Sequence, residues 1–227
     1  MDLFRVPRLE SLGVPHGCTP RAAGDMQNPA RRERIARTAG FGAPIRTFQK
    51  QLHGVGIFEV VSQDDPPKDV CGDGWILRTP GLAAGIFMAD CVPLFLWDED
   101  ASVVGVFHAG WRGVASGMPE AAVKSFEKAG VRPGAVSAAL GPHIGSCCYR
   151  VGPELEDRFA SASLSNRGGG RYLDLGAEVR ARLASAGVRP DAVSSSGVCT
   201  HCREQDCFSF RRDKIRRNMM AFVGVPE

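Results

Sequence analysis

Three apolar runs in the middle of the chain constrain its fold most: GLAAGIFMADC (81–91), VPLFLWDED (92–100) and ASVVGVFHAGWRG (101–113). They have strand length and are broken by Asp90, by the Asp98 to Asp100 turn and by Gly110. Such runs predict adjacent buried strands. Cys91 and His108 then stand where strand gives way to loop, a usual place for chemistry on a rigid scaffold.

The flanking sequence predicts further elements. RRERIARTAGF (31–41) reads as a helix ending at Gly40, 43–49 and 55–61 as strands, and SQDDPPKDVCGDG (62–74) as a loop. Residues 113–130 read as one amphipathic helix, with Met118, Ala122 and Phe126 on one face and Gly130 as its stop. A strand follows at 135–140, then helices at 152–161 and 176–186 with SNRGGG (165–170) as the loop between them. AGVRPGAVSAAL (129–140) and AGVRPDAVSSSG (186–197) are near copies, which predicts one helix-loop-strand unit used twice rather than a repeat array.

With 227 residues, the chain reads as a single domain, 1–227, able to bury a substantial core. The net charge of +3 carries no block of like charges, so nucleic acid is not an expected partner. The N-terminus lacks a signal-like apolar stretch and no window approaches a membrane span, which predicts a cytoplasmic protein with no membrane association. Eight cysteines in such a chain are expected to be reduced, serving metal or packing.

His53 in QLHG, Cys91 in ADC and His108 in HAGWRG make a mixed nitrogen and sulfur set. Three such ligands suit a tetrahedral zinc with a fourth position left for water or substrate. By spacing alone, a buried thiol and two hydrogen-bonded histidines explain the same residues equally well.

The motifs QLHG (51–54), DGW (73–75), ADCVPLFLWD (89–98), VGVFHAGWRG (104–113), GPHIGSCCYRVGPE (141–154), CT (199–200) and FSFRRD (208–213) resemble, in this order, the YfiH or laccase-domain family of purine nucleoside phosphorylases. Members are also called polyphenol oxidases and peptidoglycan editing factors. The resemblance implies a compact α+β domain of mixed β-sheets flanked by helices, and zinc held by His53, Cys91 and His108. It further implies phosphorolysis of adenosine, inosine and methylthioadenosine, with adenosine deamination as a second reaction. Two departures are visible. The family's STRxGG-like N-terminal segment is represented only by CTPRAAG (18–24), within a divergent stretch over 1–40, and the Thr-Gly-Arg after RRD is replaced by Arg216, Arg217 and Asn218.

Further site residues follow from residue chemistry. Asp90, beside Cys91, is a candidate for proton transfer or ligand orientation, against a plain strand-end aspartate. Arg112 offers a planar fork for phosphate in a glycine-flanked turn, against a structural salt bridge. His143 and Arg212 are candidates for the substrate wall, against a packed histidine and a solvated arginine. Trp75 and Trp111 are candidates for stacking on a purine, against core packing. Cys199, His201, Cys202 and Cys207 crowd into nine residues, so a shared metal would need a tight knuckle. Sequence alone does not make them a second site.

Purine nucleosides and phosphate are thus the expected partners, zinc the expected cofactor with copper binding in vitro also anticipated, and a monomer or small homo-oligomer the expected assembly. Three rivals stand beside this reading: a Cys/His or zinc hydrolase in peptidoglycan precursor editing, a copper-dependent polyphenol oxidase, and a metal-binding protein without turnover. Five histidines are few for several copper centres.

Overall fold

The three apolar runs form strands, but not one sheet. The computed structural model describes residues 2–64, 66 and 69–226, so residues 65, 67 and 68 of the predicted loop lie outside the described residues. The strands are β1 (His16–Cys18), β2 (Arg46–Thr47), β3 (Ile57–Val60), β4 (Gly74–Leu77), β5 (Ala83–Met88), β6 (Val92–Trp97), β7 (Val104–Ala109), β8 (Ser137–Leu140), β9 (Arg150–Val151), β10 (Leu164–Arg167), β11 (Gly170–Leu173), β12 (Val193–Ser195) and β13 (Met219–Gly224). The α-helices are α1 (Pro7–Ser11), α2 (Pro29–Thr38), α3 (Trp111–Ala115), α4 (Met118–Lys128), α5 (Leu175–Ser185) and α6 (Phe210–Asp213).

β6 and β7 pair antiparallel at the centre of a six-stranded mixed sheet ordered β12-β8-β6-β7-β4-β3. β5 instead joins β1, β13 and β2 in a four-stranded sheet. The expectation of three adjacent strands therefore fails for the first run, because the turn at Asp90 carries the chain from one sheet to the other. β9, β10 and β11 make a small third sheet.

The period-two side-chain pattern shows why these strands are apolar throughout. In β7, Val104 and Val106 enter the core between the two large sheets, while Phe107 and Ala109 enter the core under the helices. In β6, Phe95 and Trp97 face the first core, and Val92, Leu94 and Leu96 the second. In β13, Met219, Ala221 and Val223 point into the inter-sheet core, and Met220 and Phe222 into a third cluster with Ile35 and Ala36 of α2. The layers are thus α2, four-stranded sheet, six-stranded sheet, and α3 to α5. This α+β arrangement puts both faces of each large sheet under cover.

Local chemistry explains the remaining differences from the sequence reading. The predicted helix 113–130 is two helices, because Gly117 sits at φ +95° and Pro119 opens the first turn of α4. Met118, Ala122, Val123 and Phe126 make its buried face. The predicted helix 152–161 is only a 3-10 segment, Pro153–Arg158. The predicted loop 165–170 is the β10–β11 hairpin, turning at Gly168 and Gly169, both at positive φ, as a two-residue turn of the primed kind demands. The twin segments end in β8 and β12, which lie side by side and parallel, Val193 opposite Ala138.

Candidate metal centre

His53, Cys91 and His108 come together from three different elements. Their donor atoms all lie within 4.8 Å of one another, and the two imidazole centroids are 4.6 Å apart with planes at 79°. Register places His108 on β7 opposite Pro93 of β6, two residues from Cys91. His53 belongs to neither strand and reaches the pair from the loop before β3.

That loop is fixed by two side chains within the family motifs. Gln51 donates its side-chain N–H to the Phe87 carbonyl (2.8 Å) and accepts the Phe87 N–H (2.6 Å), acting as a short extra strand on the end of β5. Asp73 accepts the backbone N–H groups of Leu52, His53 and Gly54 at 3.1, 2.8 and 2.9 Å. The same carboxylate lies 2.9 Å from His108 Nδ1 and is fully buried. One aspartate thus holds the His53 loop, which takes the left-handed φ of +58°, and commits His108 Nδ1, leaving Nε2 to face Cys91. Sequence reading placed Asp73 in the DGW motif without giving it this role. An acidic residue between two glycines just before an apolar strand was the only available signal.

Electrostatics follow from this packing. Burial by itself would raise the Cys91 thiol, but the charge and hydrogen bonding of His108, with those of His53, bring it down to about 6. Burial would lower His108; the Cys91 thiolate and the Asp73 hydrogen bond raise it to about 9. Asp73, against its burial, is held below the usual carboxylate range by His108 and the loop N–H groups. A thiolate beside two imidazoles is a ligand set for a borderline-soft cation, and the backbone behind it leaves no room for a Cβ at Gly110 or Gly113. A Cβ on Gly110 would stand 2.9 Å from Cys91 Sγ, and one on Gly113 2.9 Å from the Gly54 carbonyl. This is the physical content of the glycines in HAGWRG. Exposure rises from buried His108 through half-buried Cys91 to exposed His53, so the cluster faces solvent on the His53 side.

The other expected site residues fall out differently. Asp90, at φ +91°, accepts from the Thr200 hydroxyl (2.6 Å) and the Arg211 backbone N–H (2.7 Å), so both its oxygens tie the C-terminal segment to the Cys91 turn. Arg212 is corrected from the substrate wall to the scaffold. Its guanidinium donates to the carbonyls of Thr200, His201 and Cys207 and to both oxygens of Asp213, which leaves no N–H for phosphate. His143 is buried with Nδ1 2.7 Å from the Gly141 carbonyl, and Nε2 lies against Gly176 at the start of α5. Trp75 is core, stacked on Phe48 at 3.9 Å. Arg112 is exposed, lies 4.3 Å over the Trp111 ring, and among the described residues forms no ion pair with a carboxylate. Tyr149 was not anticipated. It is buried, Arg211 lies over its ring, and burial together with the nearby Cys91 charge raises its hydroxyl.

The two departures in sequence meet in space. Asn218 exchanges hydrogen bonds with Asp25 and Met26, and Arg21, Arg31 and Arg217 line a cavity of about 380 Å³ beside them.

Two packed sheets between helical layers carry a three-donor cluster, open on one side, that suggests a bound metal. The chain belongs to the multi-copper polyphenol oxidoreductase laccase family, which it matches over residues 22–226. A purine nucleoside phosphorylase of Deinococcus radiodurans is 34% identical over 248 aligned positions, covering 100% of this chain and 94% of that protein. Adenosine deaminase RL5, from an unknown prokaryotic organism, is 35% identical, covering 67% of this chain and 61% of that protein. The crystal structure of YlmD from Geobacillus stearothermophilus superposes with a TM-score of 0.84 at 29% identity, covering 95% of this chain and 93% of that one.

Proposed function

We propose that this protein is a zinc-dependent purine nucleoside phosphorylase acting on adenosine, inosine and methylthioadenosine, with adenosine deamination as a second reaction. The observation that carries the reading is the convergence of His53, Cys91 and His108 within 4.8 Å, open towards solvent on one side. Purine nucleosides and phosphate fit the names of the relatives, one of which is an adenosine deaminase.

His53, Cys91 and His108 would hold the zinc, which would supply Lewis acidity there. Arg112, without a carboxylate partner among the described residues and poised over Trp111, binds phosphate with its planar fork. Asp73 orients His108 and anchors the His53 loop. Asp90 acts by positioning, since both its oxygens are already engaged. Glycosidic cleavage builds positive charge on the ribose and negative charge on the departing base, so a cation near the base and an anion near the sugar are what the reaction requires. No helix among the described residues is long and apolar enough to cross a membrane. Cytoplasmic location and a monomer or small homo-oligomer are part of the same proposal.

The test is base release from adenosine or inosine, with and without phosphate, on protein of measured metal content. Ribose 1-phosphate is the expected product, and equal rates without phosphate would overturn the reading. Arg112→Lys should raise the phosphate requirement more than the nucleoside requirement, at a cost of about 1.5 to 3 kcal/mol, while zinc content stays unchanged. One observation favours a second reading, a Cys/His hydrolase: the lowered Cys91 thiol faces the raised His108 imidazole as a nucleophile faces its base. Full activity in protein stripped of metal would select that reading.

A further inference from the structure

A second group of donors lies outside this site, and sequence spacing concealed it. Cys147 and Cys148, from the connection between β8 and β9, meet Cys199 and Cys202, from the segment after β12, with all four sulfurs within 4.8 Å of one another. Cys202 Sγ is 3.6 Å from Cys147 Sγ and 3.4 Å from Cys148 Sγ. Thiolates around a tetrahedral zinc at bonds of roughly 2.3 Å stand roughly 3.8 Å apart along each tetrahedral edge. The separations therefore already approach those of a four-sulfur cage. Cys207, read from sequence as a member of the group, is buried in the inter-sheet core instead.

Three further features fit thiolate ligation. Cys199 Sγ accepts the Gly145 backbone N–H at 3.2 Å, the kind of N–H to sulfur bond that stabilises a negative sulfur. Gly145 lies directly against the group, since a Cβ there would stand 3.3 Å from Cys147 Sγ and 3.6 Å from Cys199 Sγ. Arg167 donates to the Ser146 carbonyl, bringing a guanidinium beside a cage that would carry excess negative charge.

We propose that Cys147, Cys148, Cys199 and Cys202 bind a structural zinc ion, with loss of the thiol protons to solvent, and that this ion clamps the 145–149 loop to the 199–202 loop. Closed four-thiolate coordination gives it no open position, so its role is to hold these loops. The first loop follows directly on Ile144, whose N–H bonds to the Asp90 carbonyl (2.9 Å), and the second contains Thr200, whose hydroxyl bonds to the Asp90 side chain. Asp90 adjoins Cys91 of the first cluster.

The experiment is metal stoichiometry by native mass spectrometry on full-length protein purified without added metal, with cobalt substitution as a second readout. Wild type should carry two zinc ions, and Cys91→Ala and Cys202→Ser should each lose one. Cobalt-loaded Cys91→Ala should show the intense sulfur-to-cobalt charge transfer and red visible bands of tetrahedral four-thiolate coordination, which requires no change to the four cysteines. A single zinc in wild type that Cys202→Ser leaves in place would overturn the proposal. So would a cobalt spectrum lacking those bands, or a native disulfide joining Cys202 to Cys147 or Cys148.

Discussion

The two sulfur-containing clusters of this molecule are built on opposite plans. The first draws His53, Cys91 and His108 from a loop and two strand ends, mixes nitrogen with sulfur, and faces solvent on the side of exposed His53. The second draws four cysteines from two loops and closes them on one another. A donor group short of one ligand suits chemistry, whereas a complete one suits holding chain segments together. Their supports differ likewise: Asp73 binds three backbone N–H groups and one imidazole of the first cluster, while the second rests on glycine and backbone N–H contacts. Asp90 connects them, with its side chain on Thr200 and its carbonyl on Ile144.

This contrast can be broken most decisively at Cys91. Cys91→Ala should abolish phosphate-dependent base release while circular dichroism and thermal unfolding stay close to wild type. Loss of the fold in this variant would show that the first cluster is structural as well. Asp73→Asn comes next, because it weakens the anchor without touching a donor. Metal affinity at the first cluster should fall about 10- to 100-fold by competition with a chelator, the usual cost of losing an outer carboxylate. Unchanged affinity would mean that the His53 loop is held by something other than Asp73.

The connection between the clusters is sharpened by Thr200→Val, which strips Asp90 of one buried hydrogen bond. A loss of about 1 to 3 kcal/mol in unfolding free energy is expected, with both metals retained. Release of either metal would show that the clusters are coupled more tightly than this contact implies.

The smallest effect is a background to any acid titration of the two clusters. His16 is fully buried; its Nε2 accepts the Val6 N–H (2.8 Å) and its Nδ1 lies 2.8 Å from the Val14 carbonyl, so the ring is neutral. Burial, and then the charge of Arg5, depress its pKa, against the partial opposition of the Val14 carbonyl and Glu10. The unfolded chain takes up the proton first, so this contribution is complete above about pH 6.5 and is lost as pH falls below it, by at most about 1.4 kcal/mol per pH unit. Unfolding of metal-free wild type and His16→Gln at pH 7.5 and 5.5 measures it, and the gap between the two proteins should narrow at the lower pH. A gap that does not change would remove His16 from the acid response.

Local sequence was a good guide wherever one side of the argument was periodicity or conformational restriction. The apolar runs marked β5, β6 and β7, and the helix expected at 176–186 is α5 within one residue at each end. Where two short elements adjoin, it failed: Gly117 and Pro119 split the helix expected over 113–130, and Gly168 with Gly169 turned an expected loop into a hairpin. Those residues were visible, but a window long enough to detect periodicity averages across them. β1 and β13, which complete the four-stranded sheet, were not anticipated: the His-Gly-Cys of β1 carries no apolar pattern, whereas MMAFVG of β13 is as long and as apolar as β5, β6 and β7 and was legible.

By itself the sequence determined the family motifs, the three candidate donors His53, Cys91 and His108, and an α+β domain of mixed sheets. Each of these is written in residue types and short spacings. Only the tertiary structure decided that β5 leaves the sheet of β6 and β7, that Asp73 serves two histidines at once, that Arg212 is spent on carbonyls, and that Cys199 and Cys202 meet Cys147 and Cys148 rather than Cys207. Those outcomes depend on partners dozens of residues apart. Sheet pairing and core packing bring such residues together, and no local pattern records which distant donor, carboxylate or carbonyl will be waiting.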